Sequence, residues 1–259
     1  MIADWLKTRR YFGATKQKRT HASLYEFPIK GGIIKRRLRR PTSKISFKIV
    51  RPIVEWALRS IIRLEIKGKE NLPADGPIIA VFNHLNLIDP PLHIISILPR
   101  DSIVMAKEEL FYYWPIPIFR ILMDVAEAYP VRRRGTPEER QMAMKYAEEV
   151  LAKGLLFGIY PEGTRSKAGC LKEAHHGCAL IALSTGAPLI PVSIRGTEKL
   201  KGIGWLTRPK VTITFGKPFT LPPVQGEPNG KQLKELTEYI MGKVAAILPP
   251  EYRGIYKPC

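Results

Sequence analysis

From residue 65 onward, apolar positions gather in short runs separated by stretches of helical period. Pro77–Phe82 (PIIAVF) is a continuous apolar run just after Asp75-Gly76 and predicts a buried strand. Ser102–Ala106, Leu155–Tyr160, Pro188–Ile194 and Lys210–Phe215 predict further strands. Pro90–Leu98, Glu173–Ser184 and Lys231–Ile247 read as helices between or after them. Thr136-Pro137-Glu138-Glu139 is a capping box with Pro at the first helical position; its helix runs to about Ala152, and Gly154 ends it. Leu110–Met123, aromatic and broken by Pro115 and Pro117, reads as a loop leading into a helix. Alternating strands and helices predict an α/β fold: a single domain with a largely parallel central sheet flanked by helices. Catalytic groups are then expected in loops that follow strand ends.

The segment 44–64 has a different pattern. Lys44, Lys48, Arg51, Glu55 and Arg59 recur every three or four residues, opposite Ile49, Val50, Ile53, Val54, Ala57, Ile61 and Leu64, with Trp56 between. Pro52 would start or kink such a helix. A basic amphipathic helix with Trp suits a membrane interface; a helix covering the core with its basic face in water has the same pattern. The upstream cluster Lys35–Arg40 favours an anionic surface. The expected organisation is a basic N-terminal extension over 1–43, an amphipathic membrane-interface helix over 44–64 and the α/β domain over 65–259.

Charge sharpens this picture. Lys and Arg number 42 against 23 Asp and Glu, a net of +19, and residues 1–40 alone hold 12 basic and 2 acidic groups. Such a chain expects a polyanion: nucleic acid, an anionic membrane or phosphorylated substrates. No nucleic-acid-binding module is visible, so charge alone supports that reading. Three cysteines, Cys170, Cys178 and Cys259, argue for a reducing compartment without a disulfide framework. Residues 1–20 have no apolar core of a secretory signal and match a transit peptide in charge alone. No stretch reads as a transmembrane helix: Ala174–Ile194, uncharged but interrupted by Gly and Pro, reads as a helix, a turn and a strand.

Candidate chemistry lies at two predicted strand ends. Asn83-His84-Leu85-Asn86-Leu87-Ile88-Asp89 follows the first strand. Histidine suits general-base work near neutral pH, and an Asp five residues on can return to hold one ring nitrogen. The segment has no Ser or Cys nucleophile, so a substrate hydroxyl would have to attack. Asp89, ahead of Pro90, also suits a helix N-cap. Pro161-Glu162-Gly163-Thr164-Arg165-Ser166 follows another strand and combines a carboxylate, two hydroxyls, a guanidinium and a Gly that would let backbone N–H groups approach an anion. Taken alone it could equally be a polar turn with a salt bridge. Val131-Arg132-Arg133-Arg134-Gly135 is a third basic loop, which by itself reads as a solvated charge run. Cys170, His175, His176 and Cys178 match no common structural zinc spacing, so no metal is expected. No G-x-S-x-G elbow supports a hydrolase.

Together these loops resemble the glycerolipid acyltransferase family, typified by 1-acylglycerol-3-phosphate acyltransferases. The NHxxxxD block is Asn83–Asp89, the proline-valine-x-arginine block is Pro130–Arg133, PEGTRS is Pro161–Ser166, and an apolar block around a proline is Pro188–Val192. The resemblance covers about residues 65–220. It implies that His84, oriented by Asp89, deprotonates the sn-2 hydroxyl of a lysophosphatidate, which attacks the thioester of acyl-CoA or acyl-carrier protein and gives phosphatidic acid. It implies no acyl-enzyme, metal or cofactor. It also implies that Arg133, Glu162, Gly163, Thr164 and Arg165 hold the glycerol-phosphate end; within the arginine run, Arg132 or Arg134 could replace Arg133. Glycerol 3-phosphate, another lysophospholipid or a lyso-ornithine lipid would use the same His and Asp. A non-catalytic basic protein that binds membrane or nucleic acid is the reading of a different class. The expected location is peripheral or monotopic on the cytoplasmic face of a membrane.

Overall fold

The computed structural model describes residues 24–29, 32–37, 45–108, 123, 128–132, 135–224 and 226–256. Strands β1 (Leu24–Ile29) and β2 (Gly32–Arg37) form an antiparallel hairpin within the basic extension. Helix α1 (Ile45–Ile61) leads into β3 (Arg63–Lys67). There follow β4 (Ile78–Phe82), α2 (Asp89–Ile97), β5 (Ser102–Lys107), β6 (Tyr129–Val131), α3 (Pro137–Ala152) and β7 (Leu156–Ile159). The chain continues through α4 (Gly177–Thr185), β8 (Leu189–Arg195), β9 (Lys210–Phe215) and α5 (Gly230–Ala246).

Seven strands form one sheet in the order β3-β9-β8-β4-β7-β5-β6. Strands β8, β4, β7, β5 and β6 run parallel, while β9 pairs antiparallel with β8 and carries the parallel β3 on the edge. The pleat of β4 shows the layering. Ile79 and Val81 enter one apolar cluster with α3, α4 and α5, while Ile78, Ala80 and Phe82 enter another with α1 and α2. Both faces are covered, and this is why the five residues of β4 are all apolar and buried.

The expected strands and capping box are present: the Thr136 hydroxyl accepts from the Glu139 amide, and the Glu139 carboxylate accepts from the Thr136 amide. Three expectations are corrected. The amphipathic helix ends at Ile61, so Arg63 and Leu64 belong to the edge strand β3. Its apolar side is divided: Phe47 and Leu58 are buried, but Ile49, Ile53 and Trp56 are exposed. Helix α4 begins at Gly177 rather than near Glu173. The loop reading of Leu110–Met123 falls, apart from Met123, outside the described residues.

Gly158 lies in the middle of β7, and a Cβ there would overlap Cε1 of His93. The His93 ring stacks on Phe82 with centroids 4.0 Å apart, and its Nε2 lies 3.0 Å from the Ser102 hydroxyl, so it has no room to withdraw. Gly158→Ala is expected to cost about 1–3 kcal/mol, the range of overpacked cores. A urea midpoint matching the parent's would show that the ring does move aside.

Candidate active site

The motif loops leave the sheet at one end, the C-terminal ends of the strands, because β4, β5, β6, β7 and β8 point the same way. Asn83 fixes the start of the first loop. Its side-chain amide donates to Ile194 O at 2.8 Å, and its carbonyl oxygen accepts from Ile194 N at 2.7 Å, joining β4 to β8 just beyond the sheet. Asn86 then donates to Thr197 O at 2.8 Å.

Between those anchors the chain turns, and Asp89 comes back to His84. Asp89 Oδ2 lies 2.9 Å from His84 Nδ1 and also accepts from the Leu85 and Asn86 amides at 2.6 and 2.7 Å. A carboxylate oxygen that already accepts two N–H bonds has no proton to give, so Nδ1 carries the hydrogen and Nε2 keeps its lone pair. Asp89 is fully buried, and His84 is about one-fifth exposed. The helix-cap expectation is corrected. Asp89 is the first residue of α2 behind Ile88, and its bonds go to amides upstream of the helix. Asp89 Oδ1 and the Tyr160 hydroxyl are both buried without a hydrogen-bond partner, and the Tyr160 ring lies 4.8 Å from the His84 ring. Burial, with the charge of Asp89 behind it, raises the Tyr160 phenol well above its ordinary range, so it stays protonated.

The loop after β7 clasps His84 through the main chain. Glu162 Oε1 accepts from the His84 amide at 2.9 Å, and the Ser166 amide donates to His84 O at 2.7 Å. Glu162 Oε2 accepts from the Lys172 amide at 3.1 Å, so both carboxylate oxygens are engaged within the protein. Glu162 is 3% exposed, and desolvation pushes its carboxyl up to about 7 even though both amides and Lys172 favour the charged form. Lys172 Nζ donates to the Thr164 hydroxyl. Gly163 has φ +62, the left-handed region that favours glycine, and a Cβ there would press on the exposed His175 ring. Arg165 is exposed. Arg132 is bound to Glu108 at 3.0 Å and to Glu139 at 2.7 Å, tying the loop after β6 to the cap of α3. Arg133 and Arg134 lie outside the described residues.

His84 stands on the wall of a cavity of about 910 Å³. Most of the wall is apolar, with Phe47 and Val54 from α1, Ile95 from α2, Val104 from β5, Met144 from α3 and Leu180 from α4. Arg51, Lys107, Arg140 and the ion-paired Arg132 add four cations, against one carboxylate, Glu138. Cys178 is also on the wall, and burial pushes its thiol up to about 12, so it is no thiolate nucleophile at neutral pH. The site can therefore present a base to a substrate hydroxyl beside an apolar chamber. Lys107, Tyr160 and Lys172 were not singled out from sequence, and His175 was weighed there only as a zinc ligand. Lys107 and Tyr160 end their strands or directly follow them, at the end of the sheet where loop chemistry was expected; Lys172 and His175 come close only through folding of the loop before α4.

A family model described as Acyltransferase matches residues 63–195. The chloroplastic 1-acyl-sn-glycerol-3-phosphate acyltransferase of Brassica napus is 32% identical over 153 residues, which cover 58% of this chain and 43% of that one. The Bacillus subtilis protein of the same activity name is 28% identical over 192 residues, covering 73% of this chain and 92% of its own. The crystal structure of PlsC, the 1-acyl-sn-glycerophosphate acyltransferase of Thermotoga maritima, superposes with a TM-score of 0.55 at 29% identity, covering 74% of this chain and 75% of that one. This chain spans under half the length of the chloroplastic relatives from Brassica napus and Arabidopsis thaliana.

Proposed function

The chain belongs to the Acyltransferase family, whose model matches just over half of it, and from that premise we propose that it acylates the sn-2 hydroxyl of 1-acylglycerol 3-phosphate, forming phosphatidic acid. The observation that carries this reading is the 2.9 Å contact of Asp89 and His84 on the wall of an apolar cavity fringed by cations. His84 Nε2 takes the hydroxyl proton as the oxygen attacks the thioester carbonyl. The tetrahedral centre collapses, the C–S bond breaks, and the imidazolium returns its proton to the leaving thiolate. Asp89 holds the ring and stabilises the imidazolium between those steps. The donor is a thioester of coenzyme A or acyl-carrier protein, and its chain occupies the apolar chamber. The relatives from Brassica napus and Bacillus subtilis, each named for this reaction, support the acceptor.

The test is an acyl-transfer assay on purified protein, with both thioester donors and with lysophosphatidate, glycerol 3-phosphate, lysophospholipids and a lyso-ornithine lipid as acceptors. Preferential turnover of another acceptor would overturn the assignment. Arg165, exposed in the loop that clasps His84, is assigned to the acceptor phosphate; Arg133, assigned there as well from the sequence, lies outside the described residues. Arg165→Ala is expected to raise KM for lysophosphatidate about tenfold, the loss of one charge-assisted contact, with a smaller change in KM for the donor. Equal shifts for both substrates would remove Arg165 from the acceptor site.

The same reading places the protein peripherally on an anionic bilayer through α1. No helix among the described residues is long and apolar enough to cross a membrane. The inward face of α1 lines the cavity through Phe47, Val50 and Val54, while Ile49, Ile53 and Trp56 point away from the core. Deleting residues 1–64 would also strip Phe47, Leu58 and Ile62 from the core, so surface substitutions are the proper test of docking.

A further inference from the structure

Among the described residues, the exposed large apolar side chains, Ile255 apart, fall into two segments far apart in sequence. Ile49, Ile53 and Trp56 recur every three or four residues as one stripe of α1, with Trp56 73% exposed. Ile203, Trp205 and Leu206 lie in the connection from β8 to β9, with Ile203 76% and Leu206 61% exposed. The two segments are neighbours. The single turn Gly204–Thr207 lies beside α1, the Arg208 guanidinium donates to Arg59 O at 2.9 Å, and the Arg63 guanidinium donates to Arg208 O at 3.1 Å. Scattered exposed apolar groups need no explanation, but Trp, Ile and Leu gathered on adjoining elements mark a contact surface.

We propose that the turn Ile203–Leu206 is a second membrane arm, which enters the same anionic lipid surface as the outward stripe of α1. The inference rests on the peripheral-docking reading above and extends it to a segment outside the amphipathic helix. Charge selects the occupant. Lys199, Lys201 and Arg208 flank the turn in sequence, Lys210 beyond them pairs with Glu65 at 3.1 Å, and residues 199–210 contain no acid. On α1, Glu55 is paired with Arg59 at 3.0 Å. A basic rim around an apolar centre suits anionic headgroups over acyl chains. A second copy of this face would oppose like charge to like charge. The position suits the reaction as well. Near the start of the connection, the Thr197 carbonyl accepts from Asn86 of the His84 loop, and Lys201 Nζ reaches Lys167 O, just beyond the loop that clasps His84, at 3.4 Å. Docking through both arms therefore brings the bilayer beside the two motif loops, and a bilayer-held acceptor has a short path to the base.

The experiment compares full-length parent, Trp205→Glu, Trp205→Phe and Trp56→Glu by sedimentation with equimolar phosphatidylcholine/phosphatidylglycerol vesicles. Trp205→Glu is expected to lower vesicle partition about tenfold and Trp205→Phe to stay near the parent, because an interfacial aromatic tolerates another and a buried carboxylate does not. With a short-chain, monomeric lysophosphatidate, Trp205→Glu should turn over at the parent rate; with vesicle-held acceptor it should be slower. Parental partition of Trp205→Glu would overturn the second arm, and loss by Trp56→Glu alone would leave docking to α1. A parent dimer that Trp205→Glu splits without changing partition would assign the turn to self-association and overturn the proposal. Sedimentation needs no turnover, so a protein inactive on every acceptor would refute the acyltransferase assignment and leave this test intact.

Discussion

His84→Ala is expected to lower kcat by at least about 100-fold, the lower end of general-base contributions, with little change in KM for the thioester donor. The argument is geometric. Asp89 Oδ2 holds Nδ1 at 2.9 Å, which leaves Nε2 as the ring nitrogen able to accept a proton, and His84 lines the cavity. Among the described residues, His84 is the histidine on that wall held by a buried carboxylate; His93 is fully buried, and desolvation lowers it to about 3, so its ring is neutral and shut away in the core. His175 also lines the cavity, beside Gly163, but among the described residues no carboxylate accepts from its ring. Asp89→Asn should also slow turnover, because a neutral amide stabilises the imidazolium less than a carboxylate does. The double variant should be no slower than His84→Ala alone, since groups that act as one unit do not add. Single-turnover acyl transfer with each variant, checked for folding by thermal melts, decides the matter. Near-parental chemistry in a folded His84→Ala protein would end the proposed mechanism, and additive losses would mean that Asp89 acts apart from His84.

What could be read from sequence follows from how locally each feature is determined. Strand β4 was legible because both its faces are buried, which leaves no polar position among its five residues. The capping box of α3 was legible because its two bonds join residues three apart. The pairing of His84 with Asp89 was legible for a similar reason, their separation being five residues. Strand β6 was hidden, because three residues are too few to show a period and its Tyr129-Pro130-Val131 runs straight into the arginines. The division of α1 was hidden because an apolar side chain on a helix carries no label for core or lipid. Phe47 and Ile49 read alike in sequence, yet one is buried and the other open. The brace formed by Glu162 was out of reach too, since it bonds amides 78 residues upstream and 10 residues downstream of itself. A carboxylate beside Gly, Thr and Arg suggests a ligand contact, and the sequence has no sign that both oxygens are already taken.

That brace gives the second large effect. Glu162→Gln is expected to lower kcat by up to about 100-fold, the cost of moving a reacting group by roughly 1 Å. The carboxylate accepts from the His84 amide through one oxygen and from the Lys172 amide through the other. Glutamine has one carbonyl oxygen, so its NH2 must face one of those N–H donors. One strap opens, and either the base or the loop bearing Thr164 and Arg165 loses its position. The pH dependence separates this from a merely structural loss. Burial pushes the Glu162 carboxyl up to about 7, and protonation removes an acceptor oxygen, so parental activity should rise as pH passes upward through about 7. That rise near pH 7 should be absent from Glu162→Gln, whose amide does not titrate. Stability runs the other way. A carboxyl whose folded pKa is about 7 against an ordinary 4.5 binds more protons folded than unfolded between those values. Its contribution to stability is therefore complete below about 4.5 and is lost as pH rises through 7. Glutamine does not titrate, so the variant's melting temperature should gain on the parent's across that window while its turnover stays low. A parental acid limb in Glu162→Gln, or a melting difference that ignores pH, would show that Glu162 is not the titrating brace.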